Sequence, residues 1–179
     1  EISVGEMVSA YTAFANKGIR VAPLFVTRIE DSDGNVLSTF APQMEEVISI
    51  SSAYKMLVML RAVINEGTGG RVRRYGITAD MGGKTGTAQK LPRKDRKYLV
   101  SFMGFAPVEN PQLLIYCIVD EPNVADQAHS YFAQDICREI LEEVLPYMNI
   151  YPDEKKTGKN KGFGITCLLY TSDAADDKA

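Results

Sequence analysis

Met81-Gly-Gly-Lys-Thr-Gly-Thr-Ala-Gln-Lys90 is the stretch on which the fold turns. Two glycines precede Lys84 and a third, Gly86, sits inside the run, so another backbone can approach closely. Thr85 and Thr87 are β-branched and favour an extended chain. The stretch therefore reads as a strand, over 83–89, that presents a lysine charge and two hydroxyls. Such a strand suits pairing with an extended, peptide-like ligand that ends in a carboxylate.

Outward from this strand the pattern continues. Residues 98–105 and 112–120 are apolar enough to be buried on both faces, and the short linkers predict an antiparallel meander. Before it, Val4, Met7, Val8, Tyr11, Phe14 and Ala15 have helical spacing, with Ser3 and Glu6 as a capping box. Segments 24–30 and 36–40 flank Asp31-Ser-Asp-Gly-Asn35, a hairpin signal. A second helix begins at Ser51 or Ser52 and runs to about residue 66, where Gly67-Thr-Gly-Gly70 ends it. A third covers 126–145, with Phe132, Ile136, Ile140, Leu141 and Val144 on one side. Helices packed on an antiparallel sheet give an α+β fold, an α/β sandwich.

The chain has 179 residues and a net charge of −3. That is enough for one domain with a core, and nothing in the charge points to nucleic acid. No apolar run reaches membrane-spanning length. Cys117 and Cys137 lie in apolar surroundings and read as buried thiols rather than a disulfide. Neither they nor Cys167 has metal-type spacing, and Asp120-Glu121 reads as a solvated strand end rather than a metal site. The five basic residues within 90–97 read as a solvated turn. His129, the lone histidine, reads as a helix-start residue with Asp126 nearby.

Lys84-Thr85-Gly86-Thr87 resembles the third active-site motif of the penicillin-binding proteins and serine β-lactamases. Ile2-Ser-Val-Gly-Glu-Met-Val-Ser-Ala-Tyr-Thr-Ala-Phe-Ala-Asn-Lys-Gly18 resembles the helix that follows the second motif in these transpeptidases. Val21-Ala-Pro23, Glu66-Gly-Thr-Gly69, Ser101-Phe-Met-Gly-Phe-Ala-Pro107 and Ile118-Val-Asp-Glu-Pro122 carry the likeness further. It covers residues 1–154, the C-terminal half of a transpeptidase domain, and leans toward the monofunctional class B type.

The resemblance implies a D,D-transpeptidase that cross-links peptidoglycan through a serine acyl-enzyme. Its partners would be stem peptides ending in D-Ala-D-Ala, β-lactam antibiotics, and other cell-wall synthesis or division proteins. It needs no cofactor and no metal. It implies a bacterial membrane anchor upstream, with the domain on the extracytoplasmic side. Thr87 would lend its backbone N–H to the oxyanion hole and Lys84 its charge. Thr85, Gly86, Thr87 and Ala88 would hold substrate. A β-lactamase-like hydrolase and a non-catalytic sensor domain that binds β-lactam or stem peptide are the alternatives.

The nucleophile is expected to be absent from this chain. Ser52-Ala-Tyr-Lys55 alone matches S-x-x-K, and helical spacing puts its two side chains on one face. In the family, however, that motif lies far upstream of the lysine motif, with S-x-N between. Ser52 also falls where a helix cap is expected, so it reads as a decoy and the chain as an inactive fragment.

Residues 155–166 read as a flexible tail. The stretch Cys167-Leu-Leu-Tyr-Thr-Ser-Asp-Ala-Ala-Asp-Asp177 resembles a translated transposase-type sequencing adapter. Residues 167–179 are therefore read as an artefactual, disordered extension and left out of fold reasoning.

Overall fold

The structure is a computed structural model that describes residues 2–74 and 76–151. The readings for 155–166 and 167–179 lie outside the described residues, as does Cys167. The elements run α1 (Val4–Ala15), β1 (Ile19–Val21), β2 (Arg28–Glu30), β3 (Val36–Thr39), β4 (Met44–Glu46) and α2 (Ile50–Asn65). A 3-10 turn (Gly70–Arg73), β5 (Gly82–Gln89), β6 (Tyr98–Ala106), β7 (Leu113–Asp120) and α3 (Tyr131–Tyr147) follow.

The central sheet is the antiparallel meander β5-β6-β7. Phe102 and Phe105 of β6 are three residues apart and face opposite ways. Phe102 packs with Ile64 and with Ala133, Cys137 and Leu141 of α3. Phe105 packs with Leu60, Tyr11 and Phe14. So α3 covers one face of the sheet, α1 approaches the other, and α2 contributes to both clusters. Strand β6 is buried over most of its length; β7 is only half-buried, because among the described residues it is an edge strand with no partner beyond it.

Helix α1 starts as its capping box requires: Ser3 Oγ accepts from Glu6 N at 3.2 Å, and Ser3 N donates to Glu6 Oε2 at 2.7 Å. The hairpin β2-β3 turns on Asp31, whose Oδ1 accepts from the backbone of Asp33 and Asn35. Strands β1 and β4 pair as a further small sheet. At three residues each they are too short for alternation to reveal them.

Three readings need correction. The cap of α2 is Ser49, not Ser51 or Ser52: Ser49 Oγ accepts from Ser52 N at 3.2 Å. Helix α3 begins at Tyr131, leaving 126–130 as loop. Its buried face is Ala133, Cys137, Leu141 and Leu145, whereas Ile136 and Ile140 are exposed. Small residues at the start of that stripe let α3 come close to β6; larger Ile side chains would hold it off.

Both described cysteines are free, Cys137 fully buried and Cys117 partly so. Burial pushes the Cys137 thiol up to about 12, which leaves it protonated and unreactive at neutral pH.

The glycines of β5 answer to β6. A Cβ on Gly83 would stand 2.5 Å from the Met103 carbonyl oxygen and 3.0 Å from Ile64 Cδ1. Backbone cannot give way cheaply there. Gly83→Ala is expected to lower stability by about 2–3 kcal/mol, read as a shift in the denaturant midpoint. At Gly86 the obstacle is the Ser101 hydroxyl, which can rotate. Gly86→Ala is therefore expected to cost clearly less; equal costs would contradict the packing argument.

Candidate active site on the edge of the sheet

Strand β5 is bonded to β6 on one side, and its other edge is open among the described residues. Lys90 N donates to Lys97 O at 2.8 Å, and the register aligns Gln89 with Tyr98. Residues 90 and 97 are thus a hydrogen-bonded pair. Pair type alternates along an antiparallel ladder, so residues 82, 84, 86 and 88 turn their backbone groups toward β6. Residues 83, 85, 87 and 89 turn theirs to the open edge. Glu121 N donates to Tyr98 O at 2.9 Å, which sets the same alternation on the far side of β6. In keeping with it, the Thr85 carbonyl is free of the ladder and accepts from Lys84 Nζ at 2.6 Å.

The side chains divide differently. Lys84 lies with Gly82 and Gly86 on the Phe105 face, while Thr85 and Thr87 lie on the Phe102 face. There the two threonines line an open cleft of about 410 Å³, whose far wall is His129, Ser130, Tyr131 and Gln134. Thr68, in the glycine-rich turn after α2, closes one end, and its Oγ1 is 2.7 Å from Thr85 Oγ1. The open backbone edge and the hydroxyl-lined cleft therefore meet at residues 85 and 87. An extended ligand can pair with the edge while a polar end group sits among the hydroxyls.

The wall opposite β5 is held by charge and ring contacts. Arg71 Nε and an Arg71 terminal nitrogen bond the two oxygens of Asp135 at 2.8 and 2.7 Å. The Arg71 guanidinium also lies 4.5 Å from the Tyr131 ring centroid. That guanidinium holds the Asp135 carboxyl below the ordinary carboxylate range. A depressed folded-state value contributes stability that is complete above the unfolded value of about 4 and is lost as pH falls through the folded one. The stability gap between wild type and Asp135→Asn is therefore expected to be widest at neutral pH. It should close on acidification below about pH 4, as read by thermal unfolding at a series of pH values; a constant gap would discount the pair.

His129 precedes α3 rather than starting it. Its Nε2 is 2.9 Å from Asp126 Oδ2, and its ring stacks on Tyr131 at 5.1 Å. The Asp126 carboxyl is held low by that bond. The basic turn and the acidic strand end turn out to be one cluster. Lys90 Nζ contacts Asp120 at 3.0 Å and Glu121 at 2.7 Å, and Lys97 reaches Glu121 at 2.9 Å. Alternation places adjacent carboxylates on opposite faces, but Glu121 has left the strand with a φ of 49°. Both carboxylates can then reach one lysine.

Ser52 is not among the residues that line the cleft. It is exposed at the start of α2, bonded to Ser49. Ile64, the α2 residue whose Cδ1 lies against Gly83, stands about 18 Å further along the helix axis at 1.5 Å per residue. Sequence reasoning found the strand but passed over Thr68, Ser130, Tyr131 and Gln134. Thr68 stood inside a run read as a helix stop. The others stood on a segment read only for its apolar side.

A family model described as "Penicillin binding protein transpeptidase domain" matches residues 1–142. Stage V sporulation protein D of Bacillus subtilis is 33% identical over 161 residues, covering 86% of this chain and 24% of that protein. Penicillin-binding protein PbpB of Mycobacterium tuberculosis is 33% identical over 156 residues, covering 81% and 23%. The chain thus spans about a quarter of the length of these relatives. Among solved structures, penicillin-binding protein 3 of M. tuberculosis complexed with ampicillin superposes with a TM-score of 0.71. It has 28% identity and is covered over 36% of its length by 86% of this chain. With an antiparallel sheet edge, a lysine-threonine-glycine strand and these matches, the chain belongs to the penicillin-binding protein transpeptidase family.

Proposed function

We propose that this chain is one wall of a D,D-transpeptidase active site that cross-links peptidoglycan stem peptides, and that β-lactams occupy the same wall. The observation that carries the reading is the junction at residues 85 and 87. Their backbone groups face the open edge of β5 and their side chains face the hydroxyl-lined cleft. A stem peptide would add as a strand along the edge, with the backbone groups of residues 85 and 87 forming the contact. The Thr87 N–H would donate to the developing oxyanion, and the Thr85 and Thr87 hydroxyls would hold the terminal carboxylate. Lys84 would supply positive potential near the reacting centre.

In this reading a serine hydroxyl outside the chain attacks the penultimate D-Ala carbonyl. Its proton passes to the departing D-Ala amine, and an amine of a second stem peptide then takes the acyl group and frees the serine. The chain alone is inactive in this reading, since Ser52 is exposed at the start of α2 and does not line the cleft. Among the described residues no helix is long and apolar enough to cross a membrane; the anchor belongs to the complete gene product, which we assign to the monofunctional class at the extracytoplasmic face of the membrane.

Labelling with a fluorescent penicillin tests this reading. The complete gene product is expected to carry a covalent label that survives denaturing electrophoresis, and this chain alone to carry none. An unlabelled complete product would refute the transpeptidase reading. Labelling of the chain that Ser52→Ala abolishes would overturn the reading of Ser52.

A further inference from the structure

We propose that Thr68 is a positioning residue for Thr85, and that Gln134 fixes Thr68 in turn. The inference rests on the carboxylate-binding reading of Thr85 and extends it to two residues on other elements. A threonine hydroxyl has one proton to give and lone pairs to accept with. Thr68 Oγ1 and Thr85 Oγ1, 2.7 Å apart, form a pair in which only one can be the donor.

The direction decides what the cleft offers. With Thr85 as donor, its proton is spent on Thr68 and a carboxylate meets lone pairs, which repel it. With Thr68 as donor, the Thr85 proton is free for the anion, and the chain of two hydroxyls polarises in its favour. An anionic ligand selects the second direction. Thr68 thus holds the Thr85 rotamer and sets the polarity of its hydroxyl without touching the ligand's reacting atoms.

Thr68 is itself held. Its carbonyl accepts from Gln134 Nε2 at 3.0 Å, and the same nitrogen reaches Ser130 Oγ at 3.2 Å. Gln134 is 2% exposed and its Oε1 has no partner. A buried unpaired oxygen is a desolvation cost that an apolar side chain would avoid; in exchange the amide ties the turn carrying Thr68 to α3. On the other side of that turn, a Cβ on Gly69 would stand 2.7 Å from Ile64 Cδ1, so the turn sits tightly on α2 as well.

The test is a double-mutant cycle in the complete gene product, read as the second-order rate constant for acylation by a carboxylate-bearing penicillin. Thr68→Val and Thr85→Val are each expected to slow acylation about tenfold. Thr68→Ser, which keeps the hydroxyl, is expected to stay within about twofold of wild type. In a Thr85→Val background, Thr68→Val is expected to have no further effect, since it acts through the missing hydroxyl. Thr68 is exposed, so its loss leaves the core intact. The proposal is overturned by an unaffected Thr68→Val, by a Thr68→Ser as slow as Thr68→Val, or by a full Thr68→Val effect in the Thr85→Val background. If Thr85→Val itself acylates at the wild-type rate, the carboxylate reading of Thr85 fails first and takes this proposal with it.

Discussion

Lys84→Ala in the complete gene product is expected to slow acylation by penicillin at least about a hundredfold. Thermal unfolding should move by no more than about one or two degrees. The two readouts separate because of where Lys84 sits. It is an exposed side chain on an edge strand, and the bond it makes is to its neighbour's carbonyl. Its removal takes little packing from the sheet. In the proposed mechanism, what it takes is the positive charge beside the edge where a carboxylate and a developing oxyanion would be held. Equal acylation rates for wild type and variant would remove Lys84 from the mechanism.

Thr87→Pro is the second large effect. The Thr87 N–H points away from β6, so proline there breaks no ladder bond, and an edge strand tolerates it. The variant is expected to fold and to lose about a hundredfold or more in acylation, the range for deleting one oxyanion-hole donor. Thr87→Val keeps the N–H and deletes only the hydroxyl. It should lose about tenfold, the share of a single bond to a charged group. Ala88→Pro is the structural control. Its N–H faces β6 at the pair with Leu99, so this variant should be strongly destabilised where Thr87→Pro is not. Reversal of those two stabilities would mean that the alternation along β5 has been misassigned.

Local signals identified most of the elements for local reasons. Ser3 and Glu6 cap α1 through bonds only three residues long, and Asp31 closes its hairpin within its own loop. The meander followed from apolar runs joined by short linkers. Where contacts came from a distance, the reading slipped. Ile136 and Ile140 form an apolar stripe on α3, yet the sheet selected the narrower face of Ala133 and Cys137. Ser52 and Lys55 stand at helical spacing, yet Ser49 took the cap. Asp120 and Glu121 came together on Lys90 only because the chain leaves β7 in a left-handed turn.

The sequence by itself determined the strand at 83–89, the residue types on it and the family resemblance. Extended conformation, glycine placement and β-branching are properties of neighbours along the chain. Only the tertiary structure decided which edge of that strand stays open, and that Thr85 and Thr87 share a cleft with Thr68 and Gln134. Those facts depend on the pairing register with β6 and on two helices converging from distant parts of the chain. A change of one residue in that register would turn the Thr87 N–H from the open edge into the ladder.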